Sequence, residues 1–396
     1  MRQLNTPVAS TNFAIFMIAI GTFILGLTEF SSMPLLPLIA QSYQVTPAIA
    51  GQVISAYALG VVVGAPLLML MTNKIKRRNA LIIFTLLMCI GNGLSALAGS
   101  ITELSIYRFI SGLPHGAYFG TGLLLAAELA PKHKRASNMA KIFFGLTIAT
   151  IVGVPSATLV GQYLGWQTIM AAASVLSVLT SLLIYLFVPA RAIENVDKFS
   201  DQINVLGNKL VWTILAIVIV GFGGVFCIYT YLADTILNVT QTSAESISVA
   251  MVMFGVGMTV GNWICGQLAD RHPIYTTGGA LACSIIFAVI YVYSAYNIWL
   301  LYITVFLLGG SVGIAAVIQS MLMDVAPQAH SMIGALVQCS FNTANAIGPW
   351  VGGMALSAGA GFNQTGYVAA ALFAGGLFMW FCSYLQMRKP TILAEQ

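Results

Sequence analysis

Charge is what this chain has least of. Only 7% of its 396 residues are Asp, Glu, Lys or Arg, against roughly 25% in soluble domains. So few charges cannot clothe a water-facing surface, and a soluble globule is excluded. Disorder is excluded as well, because 59% of the residues are hydrophobic. Six cysteines (Cys89, Cys227, Cys265, Cys283, Cys339 and Cys382) all lie in apolar runs and form no C-x-x-C. That argues against a disulfide framework or a metal site. No G-x-x-x-x-G-K-[ST] loop is present, which excludes ATP-driven work within this chain. No H-E-x-x-H, nucleophile elbow or pair of embedded carboxylates supports an enzyme. The net charge of +5 sits in a few short loops, so nucleic acid is not an expected partner. No cofactor is expected.

What is present is apolar sequence in long blocks. A bilayer core of about 30 Å needs about 20 apolar residues per helix. Twelve such runs are predicted, over 13–35, 48–72, 80–99, 102–127, 136–162 and 167–188, then 210–234, 244–269, 275–295, 298–324, 331–357 and 364–387. Their continuity excludes a membrane β-barrel, whose strands alternate. The first run passes into Pro34 and Pro37 without a small-x-small cleavage site, and is expected to be a retained span. The chain is therefore predicted to be an all-α integral membrane protein whose main partner is the lipid bilayer.

Lys and Arg set the orientation. They cluster at Lys74–Arg78, Lys132–Arg135 and Lys141, in the 189–209 segment, at Arg271, and at Arg2, Arg388 and Lys389. The loops after runs 1, 3, 5, 7, 9 and 11 contain none. Both termini are expected to be cytoplasmic.

The chain also reads as two halves. The polar 189–209 segment is predicted to be a cytoplasmic linker between bundles at 1–188 and 210–396. Gly60 and Gly64 precede Asn73 as Gly257 and Gly261 precede Asp270, at a constant offset of 197 residues. Gly153-Val154-Pro155 is echoed by Gly348-Pro349. Duplicated six-span units are the architecture of rocking transporters.

These features resemble the major facilitator superfamily. Gly266, Asp270 and Arg271 match its Gly-x-x-x-Asp-Arg loop signature after the eighth span. After the second span the copy is degraded, with Met69 and Asn73 in place of Gly and Asp. Arg108, Gly112 and Gly116 match its fourth-span signature. Gly153, Pro155 and Gly161 resemble the fifth-span motif of proton-coupled exporters. The stretches Tyr57–Pro66 and Ser111–Gly116 are closest to an AraJ-type branch of sugar exporters, related to bacterial drug and nucleoside exporters. The resemblance implies twelve helices in two pseudo-symmetric six-helix bundles, and a bacterial cytoplasmic (inner) membrane. It implies proton antiport that exports a small organic solute, acting as a monomer. The alternative is proton-coupled uptake on the same fold.

Embedded ionisable residues are functional candidates by default. Glu29 reads as the only carboxylate well inside a run, with Asp234 near the outer surface. Arg108 is the only deeply embedded basic residue. Helical rise puts Glu29 about 24 Å and Arg108 about 21 Å from the inner edge. At similar depth they are either a fixed ion pair between helices or a coupling site. His115, about 20 Å from the outer edge, suits proton relay, hydrogen bonding or close packing. Tyr118, Tyr229, Asn262, Gln319, Gln338, Asn342 and Asn345 are candidate substrate-cavity groups. The last three share one helical face. They suit a neutral hydroxylated or heterocyclic solute, and equally suit interhelical hydrogen bonds. Gly153 and Pro155 predict a kink, with or without a role in transport.

Overall fold

The computed structural model describes residues 8–72, 74–129, 135–190, 205–326 and 330–393. Asn73, Lys132, Lys134, Arg2 and the charges of the 191–204 segment lie outside the described residues. Among the described residues are fifteen α-helices and no β-strand. They are α1 (Val8–Ser31), α2 (Leu36–Tyr43), α3 (Pro47–Thr72), α4 (Arg77–Ala96), α5 (Ile101–Leu129), α6 (Arg135–Ile148), α7 (Val154–Leu164) and α8 (Trp166–Phe187). They continue as α9 (Lys209–Thr235), α10 (Glu245–Ala269), α11 (Pro273–Ser294), α12 (Ile298–Gly310), α13 (Ile314–Val325), α14 (His330–Ser357) and α15 (Thr365–Leu393).

Ten helical segments among the described residues are long and apolar enough to cross a membrane. The 29-residue α5 and the 28-residue α14 are as long. Both are more polar, because they carry Arg108 and His115 in one case and Gln338, Asn342 and Asn345 in the other.

The first apolar run does not stay helical to residue 35. Pro34 and Pro37 withdraw two backbone donors, and α1 ends at Ser31. The chain turns, with Leu36 N–H bonding the Met33 carbonyl at 3.1 Å. It then restarts as the short α2, which has Pro37 in its first turn. Gln44 closes α2 in the left-handed region at φ 53°, its N–H satisfying the Ala40 and Gln41 carbonyls. Sequence reading had not anticipated α2.

The fifth run changes its helical type where a kink was expected. The device is a π-helical turn over Ala149–Gly153, between α6 and α7. Pro155 cannot donate to the fourth carbonyl before it, and the widened turn absorbs the missing bond. The run over 298–324 is likewise broken, by a 3-10 turn at Ser311–Gly313.

The helices form two compact units. One is Met1–Ser31 with Gly60–Val196, the other Ser32–Leu59 with Asp197–Gln396. In the first, Ile15, Ile18, Phe84, Met88, Tyr118 and Ile184 belong to one buried cluster. In the second, the Tyr231 hydroxyl donates to the Pro349 carbonyl at 2.8 Å, and Ser55 donates to the Ala346 carbonyl at 2.8 Å. Gly51 and Gly353 leave the room that the Tyr231 ring occupies.

Both units repeat one helix contact. Gly60 and Gly64 of α3 lie against the Phe109 and Leu113 carbonyls of α5, where a Cβ would overlap them. Gly257 and Gly261 of α10 lie in the same way against the Phe306 and Gly310 carbonyls of α12. Gly257, Gly261, Phe306 and Gly310 each lie 197 residues after Gly60, Gly64, Phe109 and Leu113. Small residues of this kind let backbones approach when lipid removes the hydrophobic drive between helices. Large apolar side chains point outward instead. Trp263, Trp299 and Phe378 are each more than half exposed, as a lipid-facing surface requires.

Candidate coupling and substrate site

The embedded charges come together inside the first unit. Arg108 and His115 lie seven residues apart on α5, two helical turns along one face. Glu29 projects from α1. Arg108 is 1% exposed, His115 2% and Glu29 6%. His115 Nε2 stands 3.8 Å from Glu29 Oε2. Arg108 Nη2 donates to the main-chain carbonyl of Thr28 at 2.8 Å, and Nη1 approaches Met170 Sδ at 3.8 Å. The guanidinium is thus fastened to the α1 backbone one residue before Glu29. Sequence reading set Glu29 beside Arg108 by depth alone, and the structure adds His115 as the imidazole facing the carboxylate.

This grouping has a definite chemical capacity. A carboxylate and an imidazole at 3.8 Å can exchange a proton after a shift of under an ångström, since a hydrogen bond needs about 2.7–3.2 Å. The Arg108 guanidinium is held on the α1 backbone next to this pair.

Other predicted residues are distributed differently. Tyr118 is fully buried and donates its hydroxyl to the Ile18 carbonyl at 2.8 Å, tying α5 to α1. In the second unit, Tyr229 is 4% exposed and packs on Phe254 with ring centroids 4.3 Å apart. Asn342 and Asn345 are buried on α14, and Asn342 Nδ2 donates to the Gln338 carbonyl at 3.0 Å. Gln338 and Gln319 are half-buried, and Asn262 is exposed. Gly153 rests on Phe23 and Leu27 of α1, and Pro155 and Gly161 are buried in α7. Gly266 faces open space, while Asp270 and Arg271 are exposed at the end of α10. At the degraded copy of that signature, Arg77 Nε pairs with Glu128 Oε1 at 2.6 Å, joining α4 to the end of α5.

One acidic residue departs from its expected setting. Asp234 is 3% exposed, and its Oδ2 has no hydrogen-bond partner among the described residues. Glu29 is thus not the only buried carboxylate. The linear distance along a run gave depth and missed burial. The signal was in the periodicity: Cys227 and Tyr231 stand seven and three residues before Asp234, on the core face of α9.

Helices this long and apolar, with large apolar side chains facing outward, are those of an integral membrane protein. The chain belongs to the Major Facilitator Superfamily, whose family model matches residues 18–282 and 214–394. It is 34% identical over 385 residues to the inner membrane transport protein YdhP of Escherichia coli strain K12, covering 97% of this chain and 99% of YdhP. It is 29% identical over 360 residues to AraJ of the same organism, covering 90% and 91%. A Helicobacter acinonychis protein named "Probable sugar efflux transporter" is 26% identical over 372 residues, covering 93% and 94%. Among solved structures, the partially occluded inward-open xylose transporter XylE of E. coli shares the fold. Its TM-score is 0.70 at 14% identity, covering 94% of this chain and 97% of that one.

Proposed function

We propose that this protein exports a small organic solute, of the sugar, nucleoside or drug-like class, in exchange for protons. Glu29 carries the exchanged proton, His115 shares it, and Arg108 holds the local field constant. The observation that carries the reading is the 3.8 Å approach of Glu29 and His115, both more than nine-tenths buried, beside an arginine anchored to backbone. A buried titratable pair is costly to keep in a membrane protein unless it is used. The name of the Helicobacter relative supports a sugar as solute and efflux as direction. The name of YdhP supports a bacterial inner membrane.

On this reading the chain has twelve spans, α5 and α14 being the two more polar ones. They form six-helix halves at 1–188 and 210–396 around the 189–209 linker, with both termini cytoplasmic. The protein works as a monomer and needs no cofactor beyond the proton gradient. Tyr229, Asn262, Gln319, Gln338, Asn342 and Asn345 offer neutral hydrogen-bonding groups to the solute. The π-helical turn before Pro155 supplies the bend that alternating access requires, and Asp270 with Arg271 steadies the inner end of α10.

The test is a substrate panel in proteoliposomes of defined orientation, with and without a pH gradient. Export driven by inward proton flow supports the reading. Accumulation in the direction of proton entry replaces it with symport. Transport indifferent to the gradient removes the role of Glu29.

A further inference from the structure

A second feature of the first unit is a cavity of about 510 Å³ between α1 and α6. That volume falls in the range of small-molecule sites, about 300–1,000 Å³. Its walls are apolar, with Phe16, Phe23 and Phe144 among aliphatic residues such as Ile15, Ile20 and Ile148. Phe16 and Phe144 are 59% and 65% exposed, so a visiting molecule meets ring faces rather than a sealed core. One end is polar. There Lys141 Nζ donates to Asn12 Oδ1 at 2.7 Å and to Asn138 Oδ1 at 3.0 Å. An ammonium has three donors. Two are committed here, and both go to neutral amides, which position the charge without cancelling it. Among the described residues that line the cavity, Lys141 carries the only charge, and no carboxylate lies within ion-pair distance of it.

From Lys141 to Ile148 the rise along α6 is about 10 Å. An apolar slot of that length, ending in the exposed ammonium of Lys141, which no carboxylate among the described residues meets, is complementary to a molecule with one apolar and one anionic end. We infer that this cavity binds a small amphipathic organic anion, with its acid group on Lys141 and its apolar body between Phe16, Phe23 and Phe144. The inference rests on the transporter reading and, within it, favours a drug-like anion over a sugar or nucleoside. It departs from the neutral solute that the amide-rich residues of α14 suggest.

The test uses the full-length protein in phosphatidylcholine nanodiscs and a matched pair of probes, 1-naphthylacetate and the neutral 1-naphthylacetamide. Calorimetry is run against empty nanodiscs. The anion is expected to bind about tenfold tighter than the amide, the scale of a charge-assisted hydrogen bond. Lys141→Gln should bring the anion down to the affinity of the amide and leave the amide unchanged. Lys141→Arg should keep the preference, which shows that a folded protein with the charge intact retains the site. Ile148→Trp, which fills the apolar end, should weaken both probes. Equal affinity for the two probes in the wild type overturns the inference, and so does a preference that survives Lys141→Gln. Phospholipid that co-purifies with the wild type in native mass spectrometry, and is lost in Lys141→Gln, would assign the cavity to a lipid and overturn the solute. None of these readouts involves a proton gradient. A failed coupling role for Glu29 would leave them untouched, and their failure would leave coupling untouched.

Discussion

Arg108 bonds the main-chain carbonyl of Thr28 at 2.8 Å. A side chain on α5 is therefore fastened to the backbone of α1 beside Glu29, and protonation of the Glu29 carboxyl does not release that bond. The acceptor of this bond is a main-chain carbonyl and not the Glu29 carboxyl, so this link between α5 and α1 does not itself use the charge of Glu29.

The first prediction follows from that bond. Glu29→Gln should abolish pH-gradient-driven export while keeping solute binding and exchange, because exchange moves no net proton. Its thermal stability should stay near that of the wild type. If Glu29 served only to neutralise Arg108, the variant would leave an uncompensated buried charge and lose about 3–5 kcal/mol, and Arg108→Gln would rescue it. Efflux and thermal unfolding of both singles and the double separate the two outcomes. Full gradient-driven export by a stable Glu29→Gln would pass the coupling role to His115.

A second prediction concerns the repeated glycine contact. Gly257→Ala places a Cβ against the Phe306 carbonyl, and Gly60→Ala does the same against Phe109. Each should cost about 1–3 kcal/mol, the usual range for overpacking. Gly266→Ala meets nothing within 4 Å, and should be neutral or stabilising by up to about 1 kcal/mol through helix propensity. Parallel thermal melts of the three variants test the set. Equal melts for Gly257→Ala and Gly266→Ala would show that the close approach is not under strain.

Asp234 supplies a third. Its unbonded Oδ2 is buried, and an unpartnered buried charge is unfavourable. Asp234→Asn keeps the shape and removes the charge. It should melt at or above the wild-type temperature and retain solute exchange. A loss of several degrees would mean that the ionised acid is itself a stabilising group.

A fourth tests orientation in a cysteine-free background. Single cysteines at Gly99, Ser243 and Ala358, all exposed loop positions, should react with an impermeant thiol reagent added to intact cells. Cysteine at Lys76 or His272, also exposed, should not. Asn363 is unsuitable as a probe, because its side chain donates to the Val292 carbonyl at 3.0 Å. The reversed labelling pattern would overturn the assignment of both termini to the cytoplasm.

The sequence by itself determined the solvent. With so few charged side chains, the chain has no choice but lipid, and each apolar run falls on helical structure, though the first, fifth and tenth are broken within or near their predicted limits. It also determined the internal duplication, because Gly60, Gly64, Gly257 and Gly261 are readable as a repeat before any contact is known. Helical periodicity and bilayer thickness are local quantities, and a linear reading captures them.

Tertiary structure decided which side chains meet. Glu29 and Arg108 share a depth in the sequence, but depth is one coordinate out of three. Only the packing of α1 on α5 directs Arg108 to the Thr28 carbonyl and turns His115 toward Glu29. The same holds for Tyr118, whose phenol reads as a cavity group and is spent on the Ile18 carbonyl. It holds in part for Asp234, whose place near a helix end pointed to the surface while its spacing from Cys227 and Tyr231 pointed to the core face. The cavity ending at Lys141 belongs to this class too. Its walls come from residues 12–23 and 141–148, more than a hundred positions apart, and no local pattern joins them until two helices lie side by side.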